Sequence, residues 1–255
     1  MYDTMSTVHP SAQIHESTVI HPNCFIGENV TIGAHCVIGP NALIIKDTHI
    51  GNHNVIHANA VIGGDSQHKA YNGEPTQLVI GDHNVIRECV TINRGDPVGG
   101  STTRIGNHNL IMAYSHIAHD AIIGNHVVIV NHSNIAGHVI VSDHVVIGAY
   151  VGVTQFCRIG QHAFLTEMAF VSKDVLPFCN VGGQPARIRG INLVGLKRRG
   201  FSSEDFIAIK TMYRHILMNK PKPDIDNPHA KTMLVFKEES ERGLMRPKSL
   251  PQVVE

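Results

Sequence analysis

Two neighbouring residues, His119 and Asp120, have side chains suited to proton transfer. A neutral imidazole can take a proton from an attacking hydroxyl at neutral pH, because the ordinary pKa of histidine is near 6.5. Gly137 follows 18 residues after His119, and a glycine leaves its backbone N–H open to hold an oxyanion. A base beside an open N–H is a workable arrangement for acyl transfer. The alternative, that His119 is one more surface histidine, stays open from these residues alone.

The elements that would position these residues follow from a six-residue repeat. An aliphatic residue recurs at every sixth place from Val8 to Ile92 with one lapse, and the series resumes one residue out of phase from Ile105 to Val171. All 25 members of this series, called the repeat positions below, are Ile, Val or Leu. A period of six fits neither an amphipathic helix nor an alternating strand, and it is typical of a parallel β-helix. The sequence therefore predicts a β-solenoid.

Vertical stacking brings the chemical groups together in this fold. Three hexapeptides make one triangular coil, and successive coils lie about 4.8 Å apart. Residues 18 apart are then vertical neighbours, which puts His119 over Gly137, Asp120 over His138, and Gln155 one coil further on. The orientation of Asp120 is open, because adjacent residues of a strand point to opposite faces. A bend at the corner of the prism or a subunit boundary could turn it towards His119.

Two interruptions and a change of pattern divide the chain. We expect a β-helix over residues 1–190 with loops at 64–79 and 93–104, because both stretches break the repeat and are rich in turn residues. Residues 191–255 are predicted to form a helical subdomain with a flexible tail from about Met245. One helix should begin at Ser202 or Ser203, and a second should run from about Pro228 to Arg242.

Composition excludes several classes of function. Lys plus Arg and Asp plus Glu number 21 each, so no net charge favours nucleic acid or an anionic membrane. No apolar run approaches the length of a membrane span, and no leader sequence is evident, so we expect no stable membrane insertion. The five cysteines form no close pair and are expected to be reduced thiols in a cytoplasmic protein. No cofactor and no structural metal are predicted.

The 19 histidines need explanation, and the repeat accounts for most of them. Nine lie three places after a repeat position and four lie one place after, where we expect exposed turn residues. His119 alone lies two places after its repeat position, Ile117. A histidine that departs from the register of the others is the better candidate for function.

Several short motifs resemble those of the bacterial UDP-N-acetylglucosamine O-acyltransferases. They are HIAHD at 116–120, RECVTINRG at 87–95, AGH at 136–138, GEPT at 73–76, QFC at 155–157 and GLKRRGFS at 195–202. The resemblance implies a left-handed β-helix and a homotrimer with sites between neighbouring prisms. It also implies transfer of a 3-hydroxyacyl chain from acyl carrier protein to the glucosamine 3-hydroxyl of UDP-N-acetylglucosamine, the first step of lipid A biosynthesis.

Residue roles carry over by position from this resemblance. His119 would be the general base, Asp120 its partner and Gly137 the oxyanion donor. A further group would bind the acceptor sugar, the nucleotide or the acyl donor, with a guanidinium suited to the diphosphate. This group comprises Gln67, Lys69, His116, His138, Gln155, Asn192 and Arg198.

The chain also departs from the family pattern. The family's Gln-Asp-Leu-Lys-Tyr is replaced by residues 67–71, in which His68 stands for the acid, and Thr154 replaces a common histidine. Glu167 departs near the expected acyl tail, so the acyl length does not follow from the resemblance. These changes leave a 3-amino sugar nucleotide open as the acceptor.

Three other classes of protein remain as alternatives. One is an acetyltransferase that uses coenzyme A on the same fold. Another is a zinc enzyme like the trimeric carbonic anhydrases, although no two histidines here have their five-residue spacing. The third is a purely structural solenoid, in which His119 would have no special role.

Overall fold

A computed structural model describes residues 5–247 and contains the predicted β-solenoid. Within these residues the strands form three sheets of nine, eight and ten strands, one sheet for each side of a triangular prism, and all pairs are parallel except the last pair of the ten-stranded sheet. Up to Phe170–Val171, successive strands of the chain belong to different sheets, so each strand pairs with the one three places away. The prediction of the fold class is confirmed.

The three sheets are named by the order in which the chain enters them. The first wall contains Thr7–Val8, Phe25–Ile26, Leu43–Ile44, Val61–Gly64, Thr91–Asn93, His116–Ile117, Asn134–Ile135, Gly152–Val153 and Phe170–Val171. The second wall contains Gln13–Ile14, Thr31–Ile32, Thr48–Ile50, Gln77–Ile80, Thr102–Ile105, Ile122–Ile123, Ile140–Val141 and Arg158–Ile159. The third wall contains Val19–Ile20, Val37–Ile38, Val55–Ile56, Val85–Ile86, Leu110–Ile111, Val128–Ile129, Val146–Ile147, Phe164–Leu165, Cys179–Gly182 and Arg187–Ile191.

The repeat positions form the core of the prism. Every one from Ile20 to Val171 is buried, whereas Val8 and Ile14 are half-buried. The residue three places after a repeat position adopts the left-handed conformation on most coils, as in His35 with φ 56°. Asn, Asp and His tolerate this conformation best among residues with a Cβ. This turn requirement accounts for nine of the histidines.

Seven of these turn histidines stack along the corner between the second and third walls. Neighbouring ring centroids are 4.7 to 4.9 Å apart, which matches the rise from one coil to the next. The column contains His35, His53, His83, His108, His126, His144 and His162. These rings therefore lie at the turn, as the sequence predicts, but their stacking was not predicted, and His144 and His162 are half-buried where exposed residues were expected.

The two interruptions are loops of different length at one corner. Ile50 pairs with Ile80, so the first loop inserts two whole hexapeptides and keeps the phase of the repeat. Ile92 pairs with Ile117, so the second inserts seven residues and shifts the phase by one. Strands reach Gly64 and Asn93 and resume at Gln77 and Thr102. The irregular segments are thus 65–76 and 94–101, narrower than the expected 64–79 and 93–104.

The prism ends in an antiparallel hairpin that the sequence did not predict. Cys179–Gly182 continues the third wall and pairs with Arg187–Ile191 across the turn. Three helices follow, Leu193–Arg198, Ser203–Met218 and Pro228–Glu238. Ser202 and Asp205 form the predicted capping box of the second of these. The expected end of the last helix at Arg242 is wrong by four residues, because the chain turns at Glu239.

The predicted loose tail is wrong for its first residues. Met245 is buried, and its N–H donates to the Asp174 carbonyl oxygen at 2.8 Å. Ile188 and Pro247 form an isolated bridge, so the chain packs back on the prism as far as residue 247. The remainder of the predicted tail lies outside the described residues. Over the described range, none of the helices has the length and apolar character needed to cross a membrane.

Candidate functional site

The candidate site occupies one corner of the prism on successive coils. Both loops, 65–76 and 94–101, project from the prism at the corner between the first and second walls. His119 and Asp120 stand at the same corner on the next coil, and Gly137 and His138 on the coil after that. Because coils stack in register, segments far apart in sequence meet here.

His119 and Asp120 form a buried hydrogen-bonded pair. His119 Nδ1 lies 2.9 Å from Asp120 Oδ2, and both side chains are less than a tenth exposed. Asp120 has φ 57°, so the corner turn brings its side chain back beside its neighbour. Because a carboxylate only accepts, Nδ1 carries the proton and Nε2 keeps the lone pair. This tautomer is the one that a general base needs.

The Asp120 carboxylate is held from the second loop and the second wall. Its Oδ2 also accepts from the Asp96 N–H at 2.9 Å, and the Asp120 N–H donates to Thr103 Oγ1 at 2.8 Å. Asp120 Oδ1 is buried without a hydrogen-bond partner among residues 5–247. The imidazole therefore has a fixed orientation and a charged carboxylate behind it.

Gly137 lies directly against the His119 ring. A Cβ added at Gly137 would be 2.6 Å from His119 Nε2, closer than any real Cβ contact. The Gly137 N–H has no hydrogen-bond partner in the described part of the chain, whereas the neighbouring Ala136 N–H bonds to Val153. An open N–H beside the lone pair of a base suits a tetrahedral oxyanion. The predicted vertical register of His119 over Gly137 is present.

Two further histidines flank this pair. His138 packs edge-on against His119 with ring centroids 5.0 Å apart, and His116 Nδ1 lies 2.7 Å from Thr91 Oγ1. Burial lowers the pKa of both His116 and His138 below the ordinary value, and for His138 the Asp120 carboxylate opposes that effect. Both rings therefore stay neutral near pH 7 and can donate or accept a hydrogen bond.

A cavity of about 490 Å³ opens over the first wall beside His119. Of the predicted site residues, Gln67, Lys69, His116, His119, Gly137 and Gln155 line it. Gly152, Val153 and Phe170 make its lower part apolar. The cavity thus joins a polar catalytic end to an apolar channel, which suits a polar acceptor and an acyl chain.

The structure does not bring Asn192 and Arg198 to this cavity. Asn192 caps the helix Leu193–Arg198 and donates to the His162 carbonyl oxygen at 2.9 Å, at the third wall. Arg198 is exposed on the same helix. Neither lines the space beside His119 in this chain.

The two loops are tied together by a buried arginine. Arg94 is fully buried and donates to the Gly63 carbonyl oxygen and to the Asp65 carboxylate. Asn93 Nδ2 donates to the Asp65 carbonyl oxygen at 2.6 Å. Because the sequence reasoning placed nothing at Arg94, this anchor was missed. The one sequence feature that could have indicated a role for Arg94 is the run of Arg, Gly and Asp at 94–96.

Asp96, Ser66 and Gly99 are site residues that the sequence reasoning also missed. Ser66 Oγ donates to Asp96 Oδ2 at 3.1 Å, and His68 Nδ1 lies 3.3 Å from the same oxygen. Gly99 leaves no room for a Cβ against Asp120 and His138. Asp96 is followed by Pro97, a capping signal that marks a short helical turn at Pro97–Gly99.

Three donors at the site could hold a divalent cation. Ligand atoms of His119, Asp120 and His138 all lie within 4.8 Å of one another. A metal at His119 Nδ1 would have to displace the proton that this atom shares with Asp120. The geometry therefore suits a proton acceptor better than a ligand set.

A larger cavity of about 1240 Å³ lies at the far end of the prism. Arg187, Arg189 and Arg246 line it, and no imidazole or carboxylate does. Because it lacks any group that could move a proton near neutral pH, the smaller cavity beside His119 is the candidate active site.

Models of known protein families match segments of both the β-helix and the C-terminal part of the chain. The family model described as Udp N-acetylglucosamine O-acyltransferase, domain 2, matches residues 174–245. The model of the bacterial transferase hexapeptide (six repeats) matches residues 102–137, and that of the GMPPB C-terminal domain matches residues 3–98.

Curated relatives match over nearly the whole chain. An acyl-[acyl-carrier-protein]--UDP-N-acetylglucosamine O-acyltransferase of Xanthomonas oryzae pv. oryzae (strain PXO99A) is 46% identical over 263 residues, which cover 96% of this chain and 100% of that protein. The same-named enzyme of Xanthomonas axonopodis pv. citri (strain 306) is 44% identical over 269 residues, with the same two coverages.

Solved structures agree in fold as well as in sequence. The UDP-N-acetylglucosamine O-acyltransferase of Moraxella catarrhalis RH4 superposes with a TM-score of 0.93 at 37% identity, covering 96% of this chain and 99% of that one. The Francisella novicida UDP-N-acetylglucosamine acyltransferase gives a TM-score of 0.91 at 36% identity, covering 98% and 95%.

Proposed function

Because this chain belongs to the family of acyl-[acyl-carrier-protein]–UDP-N-acetylglucosamine O-acyltransferases, left-handed β-helix enzymes of lipid A biosynthesis, we propose that it moves a 3-hydroxyacyl chain from acyl carrier protein to the glucosamine 3-position of UDP-N-acetylglucosamine. One observation carries the mechanism. The Nε2 lone pair of His119 faces the open backbone of Gly137, while Nδ1 is bound to the Asp120 carboxylate.

The reaction follows from this arrangement. The acceptor hydroxyl gives its proton to His119 Nε2 as its oxygen attacks the thioester carbonyl carbon. The carbonyl oxygen becomes an oxyanion, which the Gly137 N–H holds. Asp120 stabilises the imidazolium that forms and keeps the ring in its tautomer. The carbon–sulfur bond then breaks with its electron pair on sulfur, the thiolate takes up a proton equivalent to the one that His119 accepted, and the ester and the thiol of the carrier protein leave.

Substrate contacts come from the walls of the cavity. Gln67, Lys69, His116 and Gln155 line it and carry donors and acceptors for the sugar and the nucleotide. Neutral His116 and His138 can bond to hydroxyl groups without repelling the imidazolium of His119. Phe170 and Gly152 offer an apolar surface for the acyl chain.

We propose that a second copy completes the site in a homotrimer. Asn192 and Arg198 lie on the third wall and the C-terminal subdomain, away from the cavity beside His119. An exposed guanidinium would meet the UDP diphosphate if a neighbouring prism packed against the first wall. The open cavity over that wall supports such packing. The proposal includes acyl carrier protein and a UDP-sugar as partners and a reaction in the cytoplasm.

A 3-amino analogue of the sugar nucleotide is the second candidate acceptor. His68 stands at the cavity where the family pattern has an acid, so the contacts to the acceptor differ. An amine is also the stronger nucleophile, and it would give an amide by the same route through His119.

A panel of substrates tests the proposal. Purified protein is incubated with 3-hydroxyacyl carrier proteins of several lengths, with acetyl-CoA, and with either UDP-N-acetylglucosamine or its 3-amino analogue. We expect turnover with the carrier protein and at least one acceptor. Turnover with acetyl-CoA alone would instead favour a coenzyme A acetyltransferase, and the ratio of kcat/KM for the two acceptors identifies the natural one.

A further inference from the structure

A second imidazole–carboxylate pair faces the cavity from the two loops. His68 Nδ1 lies 3.3 Å from Asp96 Oδ2, with the Asp96 side chain buried and that of His68 about 42% exposed. His68 lines the same cavity as His119. Because Nδ1 faces the carboxylate, Nε2 is the ring atom left to meet a substrate or solvent.

Asp96 is fixed and charged. Burial acts to raise the pKa of Asp96, but hydrogen bonds from the Val98 N–H and the Ser66 hydroxyl outweigh it, and the pKa lies below the ordinary value. These bonds are 3.2 Å and 3.1 Å long. The carboxylate therefore orients the His68 ring, with Nδ1 turned towards Asp96.

The two pairs are physically connected. The Asp96 N–H donates to Asp120 Oδ2 at 2.9 Å, so one backbone group joins the two carboxylates. The ring centroids of His68 and His119 are 5.7 Å apart. The two imidazoles are therefore neighbours that line the same cavity.

Thioester transfer requires two proton movements. The acceptor loses a proton when it attacks, and the sulfur gains one when it leaves. His119 is almost fully buried against Gly137 and would take the first proton. A second proton-bearing group at the cavity would supply the other proton in the same turnover. His68 lines the same cavity and is partly exposed to solvent.

We propose that His68, positioned by Asp96, is the general acid that protonates the departing thiolate. This proposal rests on the proposed acyl transfer. As the carbon–sulfur bond breaks, its electron pair stays on sulfur, and sulfur takes the proton from His68 Nε2. His68 is left neutral and His119 protonated. The proton then passes from His119 to His68 through water, which restores both groups and leaves acylated sugar and free thiol.

A leaving-group series distinguishes this role from a structural one. The variant His68→Asn is compared with the unaltered enzyme on 3-hydroxyacyl thioesters of pantetheine and of an acidic aryl thiol. We expect a loss in kcat of about 10- to 100-fold with pantetheine and less than about 3-fold with the aryl thiol, whose thiolate leaves without a proton. Asp96→Asn should show the same pattern, weaker. Equal losses on both donors, or no loss with pantetheine, would overturn the proposal.

The pH profile supplies a second readout with the natural donor. With acyl carrier protein as donor, kcat of the unaltered enzyme should fall on the alkaline side because a general acid must carry its proton, and His68→Asn should lack that alkaline fall. An alkaline fall that persists unchanged in the variant contradicts the role. The matched control is His21→Asn, an exposed histidine on a distant coil, which should behave as the unaltered enzyme.

Failure of the underlying reaction is recognisable in the same experiment. His119→Ala should lose activity on both donors, because the acceptor must be deprotonated whatever the leaving group is. If the unaltered enzyme shows no turnover with any 3-hydroxyacyl donor, the proposed function itself is wrong, and if His119→Ala keeps full activity, the assignment of His119 as the base is wrong. If the His68 variants keep full activity with the pantetheine thioester but His119→Ala does not, the proposed acyl transfer stands and the role of His68 as general acid is wrong.

Discussion

Gly137 and His119 are in such close register that no side chain fits between them: a Cβ at residue 137 would be 2.6 Å from His119 Nε2. The open N–H of the glycine and the lone pair of the imidazole therefore share one small space. This relationship links the repeat to the proposed chemistry, in which one coil supplies the base and the next supplies the oxyanion donor.

Gly137→Ala should abolish most activity without unfolding the protein. The Gly137 backbone is outside the left-handed region, so alanine fits the main chain, but its methyl group must displace the imidazole or the acceptor. We expect kcat to fall at least about 100-fold, since small displacements of catalytic groups cost that much. Steady-state kinetics and the thermal unfolding midpoint measure both effects. A kcat within about 3-fold of the unaltered enzyme would contradict the oxyanion site.

His119→Ala should reduce the rate by at least about 100-fold, because the acceptor loses its base. The fold should persist, since His119 contributes no aliphatic core contact and its neighbours Ile117 and Ala121 remain buried. The comparison is with His21→Ala in the same assay. An unchanged rate in His119→Ala would contradict the role of His119 as the base.

Asp120→Asn tests the orientation of the base. The amide can still accept from the Asp96 N–H, but it no longer carries the charge that stabilises the His119 imidazolium. We expect kcat to fall at least about 100-fold with little change in KM. Measuring both constants separates this effect from weaker substrate binding. A rise in KM with kcat unchanged would assign Asp120 to binding instead.

Asn84→Ala should destabilise the prism far from the active site. Asn84 is fully buried, and its Nδ2 donates to Asn54 Oδ1 at 3.0 Å and to the Gly106 carbonyl oxygen at 2.9 Å. Its Oδ1 accepts from the Asn109 N–H at 2.9 Å. Removing it leaves buried polar groups unpaired, which costs about 2–4 kcal/mol. Urea unfolding should detect this loss, and a change below about 0.5 kcal/mol would contradict the buried ladder.

Acid should weaken the fold through His162. Burial lowers the pKa of His162 from 6.5 to about 4, and the nearby charges of His144 and Arg199 act in the same direction. Between these values the unfolded chain binds more protons than the folded one, so stability falls as the pH drops from 6.5 towards 4. After allowance for solvent screening of this half-buried ring, we expect about 1–2 kcal/mol.

A non-titrating ring at position 162 isolates this contribution. His162→Phe keeps the stacking on His144 and Phe178 but cannot gain a proton. Urea unfolding at pH 7 and pH 5 should show a smaller loss for the variant than for the unaltered protein. An equal loss would mean that other groups account for the acid sensitivity.

The fold could be predicted from the sequence because the six-residue repeat runs through most of the chain and each of its positions has the same requirement for burial. Each Ile, Val or Leu from Ile20 to Val171 needs the interior, and only a six-residue turn brings them all there. The same count predicts that His119 lies over Gly137. It also separates the first loop, which keeps the phase, from the second, which shifts it.

The rest of the site lies where periodicity gives no information. Alternation along a strand predicts that Asp120 points away from His119, but a left-handed turn of φ 57° brings the two side chains together. Asp96 and Ser66 meet through loops that have no repeat to set their register. Asn192 and Arg198 sit beyond the repeat altogether, so only the resemblance connects them to the site.

The interior asparagines show what a departure from the repeat can mean. Four places after a repeat position the chain usually has a small or β-branched residue, but Asn54, Asn84 and Asn109 stand there on three successive coils. Each asparagine hydrogen-bonds to the one on the next coil, so a buried polar side chain is tolerated because the neighbouring coil supplies its partner. Stacking arithmetic could have found this set from the sequence.

Both loops leave the prism at a corner where adding chain does not disturb the strands on either side. The scaffold fixes the base and the oxyanion donor, whereas His68 and its supports belong to segments whose length and composition the walls do not dictate. Substrate preference in such an enzyme can therefore change over evolution with little cost to folding. Chains that share this prism can diverge in the acceptor they acylate while their catalytic pair stays in place.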